Sequence, residues 1–165
     1  MLKVEGRRSS IPFIVRCRRT ASRGFDPVAV LWLAARTVGF MRWIVDAMNV
    51  IGTRPDGWWT DRRRAMVGLV DHLERWASAE GHDVTVVFER PTSPPMRSSV
   101  IEIGHAPSAA PNSADDEIVR LIRADDRPEE ITVVTSDSTL ADRVRGAGAS
   151  TYSAASFRNL IDPLG

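Results

Sequence analysis

Five aspartates stand where they could act together. Asp46 ends the apolar run Trp43-Ile44-Val45. Asp115 and Asp116 follow Ser113 at the start of a helical stretch. Asp137 lies just past the apolar run 131–135, and Asp142 lies in the helix after it. In an open α/β sheet, strand carboxyl ends and the amino ends of the following helices share one edge, and ligand sites form there. The spacing therefore predicts four or five carboxylates, from three separate segments, at one crevice. Crowded carboxylates repel and desolvate badly. Helix amino ends offset ~0.3–1 kcal/mol for each, and a divalent cation offsets far more. Oxygen ligands without His or Cys select Mg²⁺ or Mn²⁺ over zinc. Such an ion can activate water and stabilise the charge that develops in phosphodiester cleavage. Taken singly, Asp115 and Asp116 read as helix-start residues, Asp137 as a turn residue and Asp142 as a solvated helix acid. Their convergence with Asp46 carries the metal reading.

A second group follows Asp46. Trp58 and Trp59 precede Arg62, Arg63 and Arg64. Rings beside guanidinium groups can stack on unpaired bases and pair phosphates, which marks Trp58, Trp59, Arg62 and Arg63 as substrate-positioning candidates. The plainer reading has one tryptophan stapling the loop to the next helix. It also has the arginines as a solvated helix start, but arginines in a first helical turn oppose the helix dipole, which leaves room for a role outside helix stability. Phosphate-loop, dinucleotide, zinc-protease and serine-hydrolase signatures are all missing. The three histidines, at 72, 82 and 105, are scattered and argue against a histidine base or zinc centre.

The elements that must hold these residues alternate. Residues 43–46, 84–88 and 131–135 read as buried strands, with shorter ones at 99–103 and 151–152. A loop with Gly52, Pro55 and Gly57 follows Asp46. Asp61 caps a helix over 62–80, whose Met66, Leu69, Val70, Leu73 and Trp76 recur at three and four residues, and Gly81 stops it. Ser113, with Asp116 three residues on, reads as a capping box for the next helix. Residues 107–112 read as a loop. A short helix spans about 139–145. Ser153 caps a last one, with Phe157, Leu160 and Ile161 facing inward. Strands apolar on both faces call for a parallel sheet covered by helices. The expected fold is one three-layer α/β/α domain over residues 42–163, with a central, mostly parallel, Rossmann-like sheet.

Size and charge bound the rest. The chain has 165 residues, 43% hydrophobic and 26% charged, which suits one globular domain. One cysteine excludes a disulfide framework and any four-cysteine zinc site. The longest apolar run, residues 28–35, is eight residues, far below the ~20 of a membrane span. These features point to the cytoplasm and away from the membrane. The net charge of +1 hides a split: nine Lys/Arg against two acids in residues 1–42 give +7, and 13 against 19 in the remainder give −6. Residues 1–41 are expected to be a basic extension, disordered or not translated, with Met41 as an alternative start.

Four segments resemble a known family in its own order. Val45-Asp46-Ala47-Met48-Asn49-Val50-Ile51-Gly52 resembles the opening "VDGYNxIG" of YacP-like NYN domains, within the PIN-like nuclease superfamily. Val86-Val87-Phe88-Glu89 resembles the "VVFD" strand, with Glu89 for Asp. Ser113-Ala114-Asp115-Asp116-Glu117-Ile118 resembles the central acidic motif, and Val133-Val134-Thr135-Ser136-Asp137 resembles the "ATSD" strand end. The resemblance implies a PIN-like α/β/α fold and metal-dependent cutting of single-stranded RNA, as in ribosome-associated mRNA endonucleases. It implies that Asp46, Asp115 and Asp137 hold Mg²⁺ or Mn²⁺, with Asp116 as a second acid. It further implies that Asn49 orients Asp46 or the substrate, and that Ser136 helps place Asp137. Ala47-Met48 replaces the family's Gly-Tyr, and Asp142 has no counterpart.

Two rivals to the endoribonuclease reading differ in class. A non-catalytic RNA- or ribosome-binding protein would keep the fold and bind RNA without cutting it. A phosphatase-like hydrolase would need a D-x-D-x-T motif, and Asp46-Ala47-Met48-Asn49 lacks its second Asp. A toxin of a toxin–antitoxin pair is a variant of the nuclease reading.

Overall fold

The computed structural model describes residues 41–107 and 112–163. The basic extension at 1–40 lies outside the described residues, as does most of the 107–112 loop. Five strands form one all-parallel sheet in the order β3-β2-β1-β4-β5: β1 (Arg42–Asp46), β2 (Asp83–Phe88), β3 (Glu102–His105), β4 (Ile131–Val134) and β5 (Ser150–Tyr152). The chain builds outward from β1 in one direction, then returns to build from β4 in the other. The switch point of this doubly wound sheet therefore lies between β1 and β4. This is the three-layer α/β architecture that the alternating pattern predicts.

Side-chain alternation along the strands feeds two cores. Trp43 and Val45 of β1, with Val84, Val86 and Phe88 of β2, face a cluster that includes Leu69, Leu73, Phe157 and Ile161. Ile44, Val87, Ile131 and Val133 face the opposite cluster with Ile118, Ile122, Leu140 and Val144. By parity Asp46 belongs to the second face. The helices there are α3 (Ser113–Arg123) and α4 (Ser138–Gly146), while α2 (Arg62–Glu80) and α5 (Ala154–Ile161) cover the first. Asp61 Oδ1 accepts the Arg64 N–H at 2.9 Å to start α2, and Gly81 ends it at φ +70°, where a side chain would be strained.

Five local expectations need correction. The segment after Asp46 is a short helix, α1 (Ala47–Ile51), before it becomes a loop; Asp46 itself caps it, burying Ala47, Val50 and Ile51. β3 starts at Glu102 because Ser98 Oγ accepts the N–H groups of Val100 and Ile101, each at 3.0 Å, and holds those residues in a turn. Ser113 makes no capping box: Asn112, at φ 60°, precedes α3, and Ser113 Oγ donates to the Glu89 carbonyl at 3.3 Å. Leu160 is 49% exposed; Phe157 and Ile161 face inward as predicted, joined by Ala154. The Ser153 side chain caps nothing, and the Ala154 N–H is instead met by Ser136 Oγ at 3.2 Å.

Candidate active site

The site is built at the carboxyl ends of β1, β2 and β4 and the amino ends of α1, α3 and α4. Asp46 is only 4% exposed. Its Oδ1 accepts the Asn49 N–H at 3.3 Å and its Oδ2 accepts the Asn49 side-chain amide at 2.8 Å. Thr135 Oγ1 donates to the same Oδ2 at 3.4 Å. Across the switch point, the Asn49 side-chain Oδ1 accepts the Ser136 N–H at 3.1 Å. Thr135 Oγ1 also accepts the Asp137 N–H at 3.1 Å, while Asp137 Oδ1 caps α4 through the Leu140 N–H at 2.9 Å. Thr135 therefore places Asp137, and the Ser136 side chain holds α5.

Asp115 and Asp116 occupy the first turn of α3, as the spacing requires. Asp115 is half-buried. Asp116 is exposed and pairs with Arg143 of α4 at 2.6 Å. Asp142 lies apart: its exposed carboxylate accepts from Arg145 at 2.8 Å on the outer face of α4.

Electrostatics tie the acids into one group. Burial pushes the Asp46 carboxyl up to about 6; the Asn49 bonds pull it down, the Asp115 charge adds to the rise, and Thr135 opposes it. Asp115 is also raised, by burial and then by Asp137, with Arg143 opposing and Asp116 and Glu89 adding to the rise. Five carboxylates thus lie within Coulombic reach around Asp115. They do not form a closed ligand cage: among the described residues, no three His, Cys, Asp or Glu side chains are grouped to hold an ion. The physical reason is visible in their bonds. Asp46 and Asp137 each spend an oxygen on a helix cap.

The donor chemistry nonetheless fits a hard dication. The group offers only carboxylate oxygens, and Asp46 is buried with amide and hydroxyl partners but no ion pair among the described residues. Two histidines stand elsewhere, His72 against the Ile161 carbonyl and Asp162 and His82 packed on Trp43 and Trp76, while His105 ends β3 and contacts the Ala106 carbonyl.

The substrate-positioning candidates divide. Arg62 and Arg63 line a cleft of about 280 Å³ with Met48, Met66, Glu89 and Arg90. Trp58 packs on the core and faces a neighbouring cleft with Arg64 and Arg158. Trp59 is 58% exposed and meets Trp58 edge-on at 6.1 Å. Thr135, Arg143 and Arg90 were not singled out as site residues from sequence, and Glu89 was given no role. Thr135 could have been found from its place before Ser136-Asp137. Arg143 could not, since its partner Asp116 is 27 positions away in sequence.

Comparison with known proteins places the fold in a family. Residues 43–164 match the YacP-like NYN domain. Two crystal structures of Rae1 (YacP) from Bacillus subtilis, one of them a Trp-to-Leu mutant, are similar to this chain at 25% identity. The mutant superposes with a TM-score of 0.61, covering 73% of this chain and 74% of that one; the other superposes at 0.60, covering 73% and 72%. No curated protein matches the sequence.

Proposed function

The chain belongs to the YacP-like NYN domain family, and on that premise we propose that it is a divalent-metal-dependent endoribonuclease acting on single-stranded RNA. The family supports a nuclease-type, RNA-related function. The finer reading is carried by one observation: Asp46 is a buried carboxylate at the sheet's switch point, faced by the charge of Asp115 and without an ion pair among the described residues. Asp46, Asp115 and Asp137 would hold Mg²⁺ or Mn²⁺. When bound, the ion would supply activated water and stabilise charge on the phosphodiester. Asn49 fixes the Asp46 carboxylate by two bonds, Thr135 links Asp46 to Asp137, and Arg143 holds Asp116 at the mouth, where it serves as a further ligand or as a base. Arg62 and Arg63 would draw the phosphate backbone and Trp59 would stack on a base. A cytoplasmic location and contact with ribosome-bound mRNA belong to this reading. Among the described residues, no helix is long and apolar enough to cross a membrane.

The open spacing of the carboxylates favours one rival, an RNA- or ribosome-binding protein that does not cut. Incubation of the full chain with labelled single-stranded RNA, with Mn²⁺ and with EDTA, separates the two. Cleavage products that vanish with EDTA and with Asp46→Asn support the nuclease. RNA retention without products, indifferent to EDTA, overturns it.

A further inference from the structure

The cleft beside the acidic group has a composition that the metal chemistry does not use. Its walls are the apolar side chains of Met48 and Met66, with Phe88 at the floor, and its edge carries Arg62, Arg63 and Arg90. A site for phosphate alone has no need of apolar walls. A flat heterocycle joined to a phosphate needs both, because the base face is stacked away from water while the phosphate stays at the charged edge. The volume of about 280 Å³ lies just under the ~300 Å³ where small-molecule pockets begin, room for one base rather than for several.

The arginines are set in advance. Arg63 Nη1 donates to the carbonyls of Ser93 and Pro94, at 2.9 and 3.1 Å, which holds its guanidinium at the cleft edge. Arg62 lies 5.7 Å from the centre of the Trp58 ring, a cation–π contact that steadies it. Side chains already ordered lose less entropy on binding. Met48 follows Asp46 on α1, and Glu89 lines the cleft while acting on Asp115. The cleft therefore borders the acidic group through Met48 and Glu89.

We propose that this cleft seats one unpaired nucleobase of the RNA strand beside the acidic group, its face against Met48 and Met66 and its phosphate toward Arg62 and Arg63. The proposal rests on the RNA-directed reading above but not on catalysis, so the two can fail separately.

The test is methyl NMR of the full chain labelled at its five methionines, in EDTA, where no cleavage occurs. AMP and CMP are expected to shift the Met48 and Met66 methyls and saturate in the millimolar range, leaving Met96, which lines a different cleft, unmoved. Ribose 5-phosphate and inorganic phosphate are expected to leave Met48 and Met66 in place. Silence of both methyls toward every nucleotide, or equal shifts with ribose 5-phosphate, overturns the proposal in favour of no site or an anion site only. Met66→Trp should fill the cleft and abolish the Met48 response, with the amide spectrum reporting the fold. Arg63→Gln, on an exposed residue, provides a second arm: AMP affinity should fall about tenfold, and unchanged affinity removes the phosphate contact. Nucleotide binding without RNA cleavage would sink the nuclease reading and leave this one standing.

Discussion

Asn49 binds Asp46 through both its backbone N–H and its side-chain NH₂, the latter at 2.8 Å, while its side-chain Oδ1 accepts the Ser136 N–H. One side chain thus orients the buried carboxylate of β1 and ties it to the end of β4. Residues that orient a ligand typically matter 10–100-fold in metal affinity or activity. Asn49→Ala is therefore expected to lower RNA cleavage by about 10–100-fold, with a stability loss of only about 1 kcal/mol because Ser136 can bond water instead. Asn49→Asp should be worse, since it sets a second carboxylate against Asp46. Initial rates at saturating Mn²⁺ together with melting curves check this. A rate unchanged in Asn49→Ala would remove its orienting role.

Asp46 also makes stability depend on pH in a definite direction. Its carboxyl sits at 3.8 in an unfolded chain and at about 6 in the fold, so between those values the folded state holds more protons. Its contribution is fully present below pH 4 and is lost as pH rises through 6, a change on the order of 3 kcal/mol. Asp46→Asn keeps a helix-capping side chain without the ionisation. Denaturant unfolding of both proteins should show the variant gaining on the wild type from pH 4 to pH 7. A difference that stays flat with pH would mean that the ionised Asp46 carries no burial cost.

The same burial predicts how metal affects the fold. A dication that binds the native carboxylates stabilises by RT ln(1 + [L]/Kd), about 2.7 kcal/mol at a hundredfold excess over Kd. Mn²⁺ is therefore expected to raise the melting temperature at pH 7.5 and EDTA to reverse it. Near pH 5, where Asp46 holds its proton, the shift should shrink, and Asp46→Asn should show little of it at any pH. A melting point equally indifferent to Mn²⁺ in both proteins would favour the non-cutting RNA-binding reading.

The legible parts of this molecule are those governed by one periodicity at a time. The buried runs of β1 and β4, apolar on both faces, and the three-and-four spacing of α2 declare a covered parallel sheet, and a parallel sheet places Asp46, Asp115 and Asp137 on one edge. What escaped is tertiary in origin. α1 is five residues long and held by Asp46 and the core rather than by propensity, so its glycine-rich sequel reads as loop. Ser113 looks like a cap until β2 ends beside it and offers the Glu89 carbonyl. Asp142 has the right spacing for the edge but the wrong side of α4, where Arg145 is its neighbour. Spacing finds the rim of a sheet; it does not say which way a helix turns its side chains.

The two tryptophans after Asp46 should separate by substitution. Trp58 packs on the core cluster and carries Arg62 over its ring, so Trp58→Ala removes buried area and the support of a cleft arginine. It is expected to cost about 2–3 kcal/mol, below the range for a fully buried ring because Trp58 is only half-buried. Trp59 is 58% exposed, and Trp59→Ala should leave unfolding within about 0.5 kcal/mol of the wild type. If Trp59 stacks on an RNA base, its loss should weaken binding of single-stranded RNA by about 1–3 kcal/mol, measured by anisotropy in EDTA so that the strand stays intact. Wild-type affinity in Trp59→Ala would leave this ring without a role in substrate binding and move the base contacts wholly to the Met48–Met66 cleft.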